Sequence, residues 1–161
     1  MSVGDSTQKR IAAQASAFKV AAIQMASGPN VLGNLSEARR LIAKAAEQGA
    51  RLVVLPEFFA IMGMTDQDKV AVREQPGQGQ IQKFLSEIAR QNKIWLVGGS
   101  IPLVASSPDK VRNTCLVFDD RGEQVARYDK IHLFNLELGN EKYQEANTIE
   151  PGNQVVVVDS P

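Results

Sequence analysis

The sequence predicts an α/β fold, and three observations predict it. Short apolar runs alternate with apolar residues at helical spacing. One run, Arg51-Leu-Val-Val-Leu55, is apolar on both faces, as parallel strands covered on both sides are. Turn clusters such as Ser27-Gly28-Pro29 and Gly98-Gly99 close the strand patterns.

The elements follow in order. Residues 19–25 are a short apolar run and read as a buried strand. Asn34 stands three residues before Glu37, the spacing of a capping box, and marks the expected helix start. Leu35, Ala38, Leu41, Ile42, Ala45 and Ala46 then recur at helical spacing, with Gly49 as the expected C-cap. A second helix is written by Ile81, Phe84, Leu85, Ile88 and Ala89, and residues 94–97 form the next strand. Right-handed crossovers should place these strands in one sheet.

Beyond this βαβαβ unit the pattern changes. Residues 113–118, the turn 119–122 and residues 123–128 read as a β-hairpin opening a second sheet. A loop-rich stretch is expected over 134–152, and Gln154-Val-Val-Val-Val158 reads as a further strand. That strand has no following helix to cover it, so an exposed edge and a marginal or oligomeric chain are expected.

Composition narrows the function classes. With 161 residues, 43% hydrophobic and 22% charged, the chain suits a globular domain with a real core. Basic and acidic residues balance at 18 each, which argues against a nucleic-acid or membrane-surface partner. One cysteine allows no internal disulfide, and one histidine offers no metal-ligand cluster, so no metal is expected. A reducing, cytoplasmic location is the expectation. Residues 1–17 lack the apolar centre of a signal peptide and read as a flexible extension, with a short helix over 11–17 as the competing reading. Residues 18–161 then make one domain.

Two residues stand out chemically. Glu57 follows Pro56 directly after the doubly apolar strand, and carboxyl ends of parallel strands are where α/β proteins place ligands. Its neighbours Leu55, Phe58 and Phe59 would surround the carboxylate with apolar groups, which suits a base. The plain alternative is a loop or capping glutamate. Lys130 closes the second strand of the hairpin and could donate to a developing oxyanion; the alternative is a solvated surface lysine. His132 alternates in register with Lys130, as a candidate base or a loop brace. Cys115 lies mid-strand with no turn to expose it, so it reads as a buried apolar filler. Gly28 and Gly33 have phosphate-loop spacing, but Asn34-Leu35 stands where Lys-Ser/Thr is required, and no nucleotide cofactor is expected.

Together these pieces resemble the nitrilase superfamily, the carbon–nitrogen hydrolases. The stretches are Val20-Ala-Ala-Ile-Gln-Met25 with Asn34-Leu35, then Leu55-Pro56-Glu57-Phe58, then Tyr128-Asp-Lys130-Ile-His-Leu-Phe134. Tyr143-Gln-Glu145-Ala resembles the place of a second family acid. The resemblance covers residues 18–161, the amino-terminal half or slightly more of a typical member. It implies a four-layer α-β-β-α sandwich, incomplete at the carboxyl end, in which members dimerise. It also implies that Glu57 is the general base, Lys130 the oxyanion donor and Glu145 an auxiliary acid, with no cofactor.

The family nucleophile is a cysteine on a strand-to-helix elbow in a segment resembling Cys-Tyr-Asp-x-Arg-Phe-Pro. Cys115 does not match it, so the resemblance implies a chain that ends before the nucleophile and is inactive alone. The implied substrate is a small amide; Leu133-Phe-Asn-Leu looks most like enzymes acting on deaminated glutathione and related ω-amides. A non-catalytic metabolite-binding or dimerising module of the same fold is the alternative. A flavodoxin-like receiver is disfavoured, since Gln24 stands where that fold wants acids.

Overall fold

The structure, a computed structural model, describes residues 18–138 and 141–160. The extension expected over 1–17 lies outside the described residues. The first unit is β1 (Val20–Ala22), α1 (Val31–Glu47), β2 (Leu52–Val54), α2 (Gln67–Ala71), α3 (Gln80–Asn92) and β3 (Trp95–Val97). The three strands pair in parallel in the order β1-β2-β3, as the βαβαβ reading expects.

Helix α1 begins four residues before the expected start, a correction with a clear cause. Asn30 is the cap, its side-chain oxygen accepting the Gly33 N–H at 3.1 Å. Asn34 is instead a buried helical residue. Its Nδ2 donates to the carbonyls of Gly28 and Ala60 at 2.8 and 3.0 Å, and its Oδ1 accepts the Gly28 N–H at 3.0 Å. The helix ends as expected at Gly49, whose φ of +85° lets its N–H reach Ala46 and that of Ala50 reach Ala45.

Helix α3 buries Ile81, Phe84, Leu85, Ile88 and Ala89, the residues its spacing selects. Each of the four larger side chains, Ile81, Phe84, Leu85 and Ile88, contributes about 1.5–3 kcal/mol on burial. Its first turn is capped from outside, because the Glu74 carboxylate accepts the N–H groups of Ile81 and Gln82 at 2.6 and 3.1 Å. With α1, it packs over Val53, Leu55, Leu96 and Leu116 to form the main core.

The hairpin forms, but not as a second sheet. Strand β5 (Val111–Phe118) runs antiparallel to β3 through Leu96↔Phe118 and Val97↔Val117, so it extends the first sheet. It also pairs with β4 (Ile101–Val104) and β6 (Gln124–Asp129), giving six strands in all. The sequence pattern does not announce β4, because Pro102 sits inside it; an end position in the strand order tolerates the missing donor.

Two further expectations are corrected. The stretch expected to be loop contains a second, two-stranded sheet, β7 (Asn135–Leu138) against β8 (Glu141–Gln144). Residues 154–158 are not a strand. Val155 and Val157 are 84% and 87% exposed, and no ladder partner for them exists among the described residues. An apolar run alone cannot make a strand; the neighbouring backbone must supply its hydrogen bonds.

Candidate active site

Glu57 sits in the turn that follows β2. The chain leaves the sheet there because Gly99, at φ +58°, lets the backbone at Pro56 come close; a Cβ on Gly99 would lie 2.0 Å from the Pro56 carbonyl oxygen. The next residue, Phe58, adopts φ +48°, a conformation that side-chain-bearing residues rarely hold. The Ser100 hydroxyl accepts its N–H at 2.9 Å. Phe58 and Phe59 enter two different hydrophobic clusters, Phe59 under α1 and α3, and Phe58 with Val70, Val111 and Ile149. Neither encloses Glu57, whose side chain stays 56% exposed. The expected apolar jacket is therefore absent.

Lys130 directly follows β6, and its N–H donates to the Asn113 carbonyl at 2.9 Å. Strand alternation puts Tyr128 and Lys130 on one face and Arg127 and Asp129 on the other. Because β6 ends at Asp129, that alternation does not reach His132, which is exposed and makes no side-chain hydrogen bond among the described residues. Glu145 opens a 3-10 turn, Glu145–Asn147, and its Oε2 accepts the Phe134 N–H at 2.7 Å.

The three predicted residues meet. Lys130 Nζ donates to Glu57 Oε1 at 3.0 Å and to Glu145 Oε1 at 3.1 Å. Nζ also lies 3.0 Å from Glu145 Oε2, so oxygens of both carboxylates surround the ammonium. Burial works against the Lys130 charge, but the hydrogen bonds it donates to Glu145 and Glu57 outweigh it and hold the ammonium above the ordinary lysine range.

One residue here was not foreseen. Asn113, on β5, donates Nδ2 to Glu57 Oε1 at 2.7 Å. Its position opposite the strand pairing of Lys130 could not be read before the register of β5 and β6 was known. Glu57 Oε2 receives no hydrogen bond among the described residues.

Glu57, Asn113 and Lys130 line a cavity of about 310 Å³ with Val54, Val97, Ser100, Cys115 and Tyr128, on the sheet face away from α1 and α3; Glu145 is not part of its lining. Cys115 is half-buried there, and burial pushes its thiol up to about 11. It therefore stays protonated at neutral pH. A second cavity lies between Arg112, Arg127 and residues 151–154. Its guanidinium groups are already paired with Glu150 and Asp129, which leaves little free charge for a ligand. Among the described residues no cluster of three His, Cys, Asp or Glu could hold a metal, and no helix is long and apolar enough to cross a membrane.

Comparison with known proteins supplies the family. Residues 19–161 match the family described as carbon-nitrogen hydrolase. The chain belongs to the carbon-nitrogen hydrolase family.

Among its relatives, nitrilase homolog 2 of Dictyostelium discoideum is 41% identical over 88% of this chain and 43% of its own length. The deaminated glutathione amidase of Yersinia enterocolitica is 35% identical, over 88% of this chain and 50% of that protein. The human omega-amidase NIT2 is 37% identical, over 89% and 51%. The crystal structure of Saccharomyces cerevisiae Nit3, a nitrilase-superfamily member, superposes with a TM-score of 0.75 at 30% identity, covering 89% of this chain and 51% of that one. The fold is thus that of the nitrilase superfamily, in part: the chain spans about half the length of the relatives it matches.

Proposed function

We propose that these residues carry the base and the oxyanion donor of an amidase that hydrolyses small terminal amides, deaminated glutathione or another ω-amide among them. The observation that carries this is the placing of the Lys130 ammonium between Glu57 and Glu145, at 3.0 and 3.1 Å, on the wall of a cavity. The substrate class is supported by the names of the amidase relatives.

In this mechanism Glu57 takes the proton of a cysteine thiol, and the thiolate attacks the amide carbon. The Lys130 ammonium stabilises the charge that develops on the amide oxygen. The carbon–nitrogen bond breaks, and the nitrogen leaves as ammonia with the proton that Glu57 had taken. Water then attacks the thioester while Glu57 accepts its proton, which releases the acid and restores the thiol. Glu145 keeps Lys130 charged and in place.

Cys115 is not that nucleophile. It lies within β5 with a raised pKa, so on this reading the thiolate comes from the part of the family fold that these residues do not span, and they do not turn over amides alone. The complete enzyme is read as a homodimer, without a cofactor and without nucleic-acid or membrane partners.

Ammonia release from monoamides of small dicarboxylic acids tests both parts. The 161-residue chain should release none. Release that disappears in both Cys115→Ala and Glu57→Gln would show that the nucleophile lies within this chain. In a protein joining these residues to a cysteine-bearing half, Glu57→Gln and Lys130→Ala should each lower kcat/KM by about 100-fold or more. An unchanged value for either variant removes that residue from the mechanism.

A further inference from the structure

One buried residue bonds the Glu57 carboxylate through its side chain and the Lys130 backbone through its own. Asn113 is 2% exposed; its amide Nδ2 donates to Glu57 Oε1 at 2.7 Å, and its main-chain carbonyl accepts the Lys130 N–H at 2.9 Å. Its own Oδ1 is buried without a hydrogen-bond partner. A buried oxygen left unsatisfied is disfavoured, so another contact must hold the amide in that orientation. Turned over, the amide would set Oδ1 against a carboxylate oxygen. The bond from Nδ2 to a charged carboxylate is the stronger kind, and it fixes the orientation.

We propose that Asn113 is a positioning residue for the base: it pins Glu57 Oε1 beside Lys130 and so presents Oε2 as the proton acceptor. The proposal rests on the reading of Glu57 as the base. Two donors converge on one oxygen, from Asn113 on β5 and from Lys130 after β6, and the other oxygen stays open. The main-chain bond from Lys130 to Asn113 holds the backbones that carry the two donors side by side. Without Asn113, Glu57 keeps a single flexible lysine partner and, at 56% exposed, is free to swing to water. Substrate contacts stay as they were, so the loss falls on kcat rather than KM.

Asn113→Leu is the sharper variant, because it removes the donor together with the unsatisfied acceptor and should fold at least as well as the wild type. NMR of the 161-residue chain should show one Glu57 side-chain rotamer in the wild type and averaged couplings in Asn113→Leu. Unchanged couplings overturn the proposal without any activity assay. In the cysteine-complete protein, Asn113→Leu should lower kcat about 10- to 100-fold with KM within about twofold. Full kcat in Asn113→Leu beside a dead Glu57→Gln overturns this inference alone. Full kcat in Glu57→Gln overturns the assignment of the base itself.

Discussion

Phe58 and Ser100 are joined by a hydrogen bond of 2.9 Å from the Phe58 N–H to the Ser100 hydroxyl, and this bond holds a non-glycine residue at φ +48° beside Glu57. Ser100 is buried, and Phe58 fills a satellite cluster. Ser100→Ala should leave a buried N–H unpaired in a strained turn and cost about 1–3 kcal/mol. Chemical denaturation measures this, and a loss near zero would show that packing of Phe58 alone sets the turn.

Asn34 makes three hydrogen bonds that tie α1 to residues 28 and 60. Asn34→Ala should lower stability by about 3 kcal/mol, near 1 for each lost bond. A smaller loss would mean that water enters and replaces those partners.

The Lys130 ammonium is held above its ordinary value of 10.5 by Glu145 and Glu57, against burial. A raised folded-state value means that its contribution to stability is complete below pH 10.5 and is lost as pH rises through the folded value. The stability difference between wild type and Lys130→Met should therefore shrink on crossing that pH. A difference that stays constant across it would place the stabilisation in packing of the aliphatic stem.

Burial lifts the Cys115 thiol from 9.0 to about 11. Its thiolate population at neutral pH is then about 100-fold below that of an unperturbed thiol. Iodoacetamide should alkylate it slower by that factor, with a rate that climbs steadily in alkali. Alkylation as fast as a free cysteine would identify an activated thiol and reopen its candidacy as nucleophile.

Legibility in the sequence followed how local each cause was. The buried faces of α1 and α3 and the parallel strands β1 to β3 were readable, because apolar spacing and turn residues act over a few positions. The start of α1 was misread because Asn34 mimics a cap, while its partner at residue 60 is distant in sequence. Residues 154–158 are the opposite case: they have the apolarity of a strand but no ladder partner among the described residues.

The sequence by itself determined the alternation of elements, the apolar face of each helix, and the order in which Glu57, Lys130 and Glu145 occur. Only the tertiary structure decided that the hairpin joins the first sheet, that the flanking phenylalanines leave Glu57 open to the cavity, and that Asn113 reaches it. The physical reason is register. A side chain's face is set by which residue lies across the ladder, and a shift of one position would turn Asn113 away from Glu57.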